Sequence, residues 1–156
     1  MPLRKVVSGG QTGVDRAALD AARSAGWPIG GWVPRGRAAE DGRIPDVYTG
    51  LVETSSPDPA RRTRLNVRDS DATLILCHGE LLGGTALTLA TARHLHRPCM
   101  CIDLALVPAA AAAEQVRRWL AETKAEVLNV AGPRASEDAA AYSDALAVLN
   151  AVLAAP

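Results

Sequence analysis

Lys5-Val-Val-Ser-Gly-Gly-Gln-Thr-Gly-Val-Asp-Arg-Ala-Ala-Leu-Asp-Ala-Ala-Arg-Ser-Ala-Gly26 decides the fold. An apolar run from Lys5 to Ser8 stops at Gly9-Gly10, and Val14, Ala18, Leu19 and Ala22 then recur at helical spacing until Gly26 closes the segment. Strand, glycine turn and helix recur downstream. Ala72 to Cys77 is apolar without alternation, the mark of a strand buried on both faces, and Gly83-Gly84-Thr85 leads from it into a helix over Leu87 to Leu95. Pro98 to Leu104 reads as another buried strand, Pro108 to Lys124 as a helix and Val127 to Ala131 as a last strand; Gly132-Pro133 then opens a final helix capped by Ser136. Ile29 to Val33 and Leu51 to Thr54 are shorter strands. Residues 57–69 form a polar helix that starts at Asp58-Pro59 and carries Arg61, Arg62, Thr63, Arg64, Asn66 and Arg68. Such alternation predicts an α/β fold of three layers, a mostly parallel sheet with helices on both faces.

The 156 residues suffice for one domain, expected to span 1–156, and leave no room for two. The 17 Lys and Arg against 17 Asp and Glu remove the broad positive field that nucleic-acid backbones usually need, and with no Phe and 3% aromatics stacking platforms for single strands are not expected. No nucleic-acid partner is therefore expected. Cys77, Cys99 and Cys101 lie in apolar runs and are odd in number, which fits a reducing compartment; Cys99 and Cys101 share a strand face and read as small core residues. The Met-Pro-Leu-Arg-Lys start lacks the apolar segment of a signal peptide, and Cys99 to Ala113 is too short to span a bilayer. A cytoplasmic protein without a membrane partner is expected.

In an open parallel sheet the ligand lies beyond the carboxyl ends of the strands, where three glycine turns here present helix N-termini. Ser8-Gly9-Gly10-Gln11-Thr12-Gly13 matches a dinucleotide fingerprint only if Ser8 replaces its first glycine, with Gly10 admitting a phosphate and Gly13 allowing close helix packing. No Gly-Lys-Ser/Thr follows, so it is not a P-loop. Gly9 and Gly10 serve either an anion or simply a tight turn, and Thr12 can act as a cap. Asp15 suits the positive end of the helix and competes there with an anionic ligand; Arg16 either reaches a phosphate or makes a surface pair. The helix after Gly83-Gly84-Thr85 has no acid in its first turn, so an anion is welcome there. At Gly132-Pro133-Arg134 the acids Glu137 and Asp138 disfavour one unless Arg134 carries it. The loop Arg35 to Pro45 is either a solvated charge cluster or a lid, and a phosphate is expected between Thr12 and Thr85, with charge from Arg35 or Arg16. His78 ends a strand at the ligand edge without a visible nucleophile, and no protein-bound metal site is expected.

Ser8 to Asp20, Gly31 to Pro45, Arg62-Thr63 with Asn66-Val67 and Asp69 to Leu74, Gly83 to Thr88, and Asn129 to Arg134 together resemble the circularly permuted YpsA-like branch of the SLOG superfamily, whose members are often labelled molybdenum carriers. The resemblance runs in order through nearly the whole chain. It implies a Rossmann-like fold, self-association into a homo-oligomer, and a site for a small phosphorylated ligand: a nucleotide or a nucleotide-derived molecule such as molybdenum cofactor, a phosphorylated pterin, which the chain would carry or sense. The same superfamily contains the lysine-decarboxylase-like LOG enzymes, phosphoribohydrolases that cleave the N-glycosidic bond of nucleoside monophosphates with a glutamate soon after a Gly-Gly-x-Gly-Thr turn. Here Ala86, Leu87, Thr88 and Leu89 follow that turn, so the carboxylate is missing unless Glu40 or Asp41 replaces it. Binding therefore ranks above hydrolysis, and no catalytic residue is assigned.

Overall fold

In the computed structural model, which describes residues 1–154, the opening strand is β1 (Lys5–Val7) and the helix after the glycine turn is α1 (Val14–Ser24). Gly26 ends that helix as predicted: at φ 80° it adopts a left-handed conformation and donates its N–H to the Arg23 carbonyl. Then come β2 (Ile29–Val33), a small antiparallel hairpin of β3 (Ala38–Ala39) and β4 (Gly42–Arg43), β5 (Leu51–Glu53) and α2 (Pro59–Arg68). Asp58 caps α2, its carboxylate accepting the Ala60 N–H at 3.0 Å. The remaining elements are β6 (Ala72–Cys77), α3 (Gly83–His94), β7 (Cys99–Asp103), α4 (Ala109–Thr123), β8 (Val127–Ala131) and α5 (Ala141–Leu153).

Six strands form one parallel sheet in the order β5-β2-β1-β8-β6-β7. From β1 the chain moves outward to β2 and β5, and from β6 outward the other way to β7, while β8 returns between β1 and β6. Crossovers diverging in this way leave a crevice beyond the carboxyl ends of β1, β8 and β6. All six residues of β6 are buried, as an unbroken apolar run requires of an interior parallel strand.

The two faces of the sheet differ in kind. Val6, Leu74, Leu76, Leu128 and Val130 point towards α1, α4 and α5 and build with them one apolar core. The alternate residues Thr73 and Asn129 face α2 and α3, whose buried side chains include Arg62, Asn66, Thr85 and Thr88. A smaller cluster of Leu19, Val33, Ile44 and Tyr48 fastens the segment after β2 against α1.

Three sequence expectations need correction. α3 starts at Gly83, not Leu87, because the amides of Thr85 and Ala86 both turn back to the Leu82 carbonyl, which brings the glycine pair into the first turn. Ser136 does not cap the last helix. It donates to Glu40, and α5 begins five residues later at Ala141. β7 is an edge strand, so Cys101 is exposed and Cys99 only half-buried, and neither is a core residue.

Candidate functional site

A cavity of about 380 Å³ opens at the crevice between β1, β8 and the first turns of α2 and α3. From the first turn it takes Gly9, Gln11 and Asp15; from α2, Arg62, Thr63 and Asn66; from α3, Gly83, Gly84, Thr85 and Thr88; and from β8 and the loop after it, Asn129, Gly132, Arg134 and Glu137. Of the residues singled out in the sequence, Gly9, Gln11, Gly83, Gly84, Thr85, Gly132 and Arg134 are thus brought together.

The others brace the walls. Ser8 is fully buried, donates to the Asp15 carbonyl at 2.9 Å and accepts from the Gly10 N–H, so it knots the turn. Gly10, at φ 73°, faces away from the cavity, where a β-carbon would meet Ile44 at 2.8 Å. Gly13 lets α1 start against the Pro133 carbonyl. The Thr12 hydroxyl bonds Glu40 and accepts the Ala135 N–H. Arg16 is spent on the Gly10 carbonyl and on Asp41, whose two oxygens it grips at 2.9 and 3.1 Å. Arg35 is exposed, and among the described residues its side chain bonds only the Ser55 carbonyl. The expected place for a phosphate between Thr12 and Thr85, served by Arg35 or Arg16, is not the cavity that forms.

The charged residues of the Arg35 to Pro45 segment are mostly exposed, as a solvated charge cluster has them, but the segment is pinned in place and lines none of the cavity. Arg37 ties it to the carbonyls of Ile44, Pro45 and Tyr48. Glu40 joins Thr12 to Ser136, and hydrogen bonds from Ser136 and Thr12 hold its carboxyl below the usual range. Arg16 does the same to Asp41. Both carboxylates are therefore engaged outside the cavity, and neither supplies the acid that the second glycine turn lacks.

The cation inside the cavity is one the sequence places on a basic helix face. Arg62 is 8% exposed, lies across Gly9 and donates to the Gly9 carbonyl at 2.7 Å and to Thr63 at 3.2 Å. Gly9 makes the room, since a β-carbon there would stand 2.8 Å from the guanidinium. Among the described residues, the Nη2 group of Arg62 has no protein acceptor. Asn66, one turn on, is spent on both the N–H and the carbonyl of Trp32.

Asp15 is 7% exposed and accepts the Gln11 N–H at 3.3 Å, with the Gly9 amide nearby. Burial pushes its carboxyl up to about 6 from the ordinary 3.8, against the pull of Arg62, the Gln11 and Gly9 amides and Arg16. At the opposite wall, α3 begins without an acid in its first turn and without a side-chain cap. The N–H groups of Gly83 and Gly84 and the Thr85 hydroxyl have no protein partner among the described residues. Arg134, half-exposed at the rim, pairs with Glu137 at 3.3 Å and Glu40 at 3.6 Å. Beside the cavity His78 lies between Asp138 and Asp144, one ring nitrogen towards each. Its proton is held above the usual imidazole range, chiefly by Asp138.

Among the described residues no group of three or more His, Cys, Asp or Glu is arranged to hold a metal ion, and no helix is long and apolar enough to cross a membrane. The sequence gives two signals of this site's polar wall. Arg62 and Asn66 stand four apart, on the side of α2 opposite Arg61, Arg64 and Arg68; and Asp15 follows the glycine turn directly.

No curated protein matches the chain. The crystal structure of a "putative molybdenum carrier protein" from Syntrophus aciditrophicus SB is similar to it throughout: the TM-score is 0.95, 46% of residues are identical, and the match covers 98% of this chain and 96% of that one. The model of the circularly permutated YpsA SLOG family matches residues 6–153. That span takes in the whole sheet but for Lys5, the first residue of β1, and every wall of the cavity, and the chain belongs to the circularly permutated YpsA SLOG family.

Proposed function

We propose that the chain binds, as a carrier or sensor, a phosphate-bearing organic molecule, a nucleotide or a nucleotide-derived ligand such as molybdenum cofactor, with its phosphate at the start of α3. The observation that carries this is the uncapped, acid-free first turn of α3, whose free amides open on a cavity that also holds the buried guanidinium of Arg62. Free N–H groups and the helix dipole favour an anion at such a turn, and a guanidinium adds charge-assisted bonds. Glu137, with a carboxylate oxygen 3.9 Å from where a Gly83 side chain would begin, has to yield to the incoming phosphate, and Arg134 then exchanges one anion for the other. A cavity of about 380 Å³ belongs to the range of about 300 to 1,000 Å³ that takes whole small molecules. The name of the Syntrophus protein agrees with a molybdenum-containing cargo.

The test is mass spectrometry and molybdenum analysis of what co-purifies, on the wild type, Gly84→Val, Arg134→Ala and Arg35→Ala. Nothing lies within 4 Å of a β-carbon at Gly84, so Gly84→Val fills the anion position in a folded protein. Ligand is expected to be lost from Gly84→Val, weakened in Arg134→Ala and retained in Arg35→Ala. Equal retention by all four places the site elsewhere.

A second activity, hydrolysis of the N-glycosidic bond of a nucleoside monophosphate, would have Asp15 as its carboxyl, since Asp58 caps α2 and Glu137 pairs with Arg134. Release of free base from a panel of such nucleotides tests it, and none is expected. Self-association is part of the proposal, and light scattering at about 16 kDa, the mass of one chain, would refute it.

A further inference from the structure

The anion site explains the donors of the cavity but not its acceptor. Asp15 is more than nine-tenths buried, lines the cavity, and accepts the Gln11 N–H at a long 3.3 Å, with the Gly9 amide beside it but no side-chain donor bonded to it among the described residues. Neither nearby guanidinium closes an ion pair with it: Arg62 is turned to Gly9 and Thr63, and Arg16 to Gly10 and Asp41. A buried carboxylate normally collects several donors, and one left short of them is an acceptor waiting for a partner. Asn129, 3% exposed, adds a second polar group on this wall; its amide nitrogen is spent on Thr73, and its oxygen takes no protein donor among the described residues.

A bare tetrahedral oxyanion fits this wall badly. Phosphate, sulfate or molybdate offers acceptors almost exclusively, is repelled by a carboxylate, and fills a small part of a cavity of about 380 Å³. A phosphate ester with hydroxyl or N–H groups on its body satisfies both ends, with the anion on the α3 amides and Arg62, and neutral donors on Asp15.

We propose that Asp15 is the specificity-determining residue of this site: its carboxylate accepts hydrogen bonds from neutral O–H or N–H groups of the ligand, so that the protein selects a phosphate ester with a donor-bearing body over a free oxyanion. This rests on the anion site at α3. The charged groups that face Asp15 or share its cavity are Arg62 from α2, Arg16 from α1, and Asp58, Arg134 and Glu137 at the walls. With its proton affinity raised only to about 6, Asp15 is ionised at pH 7.5 and free to accept donors from the ligand.

Calorimetry on ligand-free wild type and Asp15→Asn, with adenosine 5′-monophosphate, ribose 5-phosphate, orthophosphate and molybdate as probes at pH 7.5, tests this. Wild type is expected to bind the nucleotide at least about tenfold tighter than either free oxyanion, the scale of a hydrogen bond to a charged group. Asp15→Asn should weaken the nucleotide by a similar factor while leaving orthophosphate unchanged or tighter, because a repelling charge has gone. Ribose 5-phosphate separates the donors: a loss equal to the nucleotide's assigns them to the sugar hydroxyls, and a smaller one to the heterocycle. Equal weakening of all probes, or an unchanged preference, overturns the role of Asp15 and leaves the anion site standing. If no probe binds to a variant and wild type that both melt cooperatively, the anion site itself falls and this proposal with it.

Discussion

Asp15→Asn should make the ligand-free protein more stable. An ordinary buried carboxylate that is paired in the fold has its proton affinity lowered; Asp15 has it raised, to about 6 from 3.8, by burial without a contact cation. Between those two values the folded state holds more proton than the unfolded one, so stability falls as pH rises through the window and the whole cost is present above about 6. At 1.36 kcal/mol per pH unit, holding the carboxyl at about 6 costs about 3 kcal/mol. Asparagine keeps the shape and the acceptor for Gln11, and gives up the attraction of a charge to the start of α1, worth about 0.3 to 1 kcal/mol. The net gain expected at pH 7.5 is about 2 kcal/mol. Urea unfolding of both proteins at pH 7.5 and 4.5 measures it, and the gain should shrink by about 2 kcal/mol at the lower pH, where the folded wild type is already protonated. A gain equal at both values, or a variant less stable at pH 7.5, would refute the idea that a buried charge sits here at the expense of the fold.

His78 works in the opposite sense. Its proton affinity is raised by Asp138 and Asp144, so its stabilisation is complete below the unfolded value near 6.5 and is lost as pH rises through the folded one; the melting-temperature gap between wild type and His78→Gln should close between pH 5.5 and 8.5, and a constant gap would contradict it. Gly132→Ala should destabilise by about 1 to 3 kcal/mol, because its β-carbon would stand 2.3 Å from the Leu76 carbonyl and 2.5 Å from Val14, whereas Gly84→Ala should melt like wild type. Glu40→Ala removes the acceptor of the Ser136 amide, and hydrogen exchange at Ser136 should accelerate; unchanged protection would mean that Glu40 does not hold this loop to the hairpin.

How far such a site is legible in sequence depends on whether a residue's neighbours are local. The strand, glycine turn and helix units are local, and the turns after β1, β6 and β8 do open on one edge, with Gly9, Gly84 and Gly132 around one cavity. The edge position of β7 is not local: Cys99 to Asp103 has the apolarity of an interior strand, and only the sheet order leaves Cys101 exposed. Arg62 illustrates the same difficulty at the site. Among six polar residues of a helix it looks solvated, and what buries it is the absence of a side chain at Gly9, 53 positions away. Glu137 and Asp138 were legible as acids near a helix start but not as partners of Arg134 and His78, because α5 begins later than the glycine suggests.

The unequal faces of the sheet connect these observations. On one side α1, α4 and α5 enclose an apolar core in which no buried side chain needs a polar partner. On the other, α2 and α3 cover the sheet with threonine, asparagine and arginine, and groups short of protein partners face the cavity: Asp15 with its long bond from Gln11, the Nη2 of Arg62, the oxygen of Asn129 and the first amides of α3. A polar group buried without a partner costs about 1 to 3 kcal/mol, so this face takes stability from the fold that the other supplies. Binding of a molecule that satisfies them adds RT ln(1 + [L]/Kd), about 2.7 kcal/mol at a hundredfold excess over Kd, which is comparable to what Asp15 alone removes. The melting temperature of the wild type should therefore rise with ligand, and in Asp15→Asn it should start higher and rise less. If a nucleotide raised both by the same amount, the unpartnered groups would be a property of the polar face and not a preparation for binding.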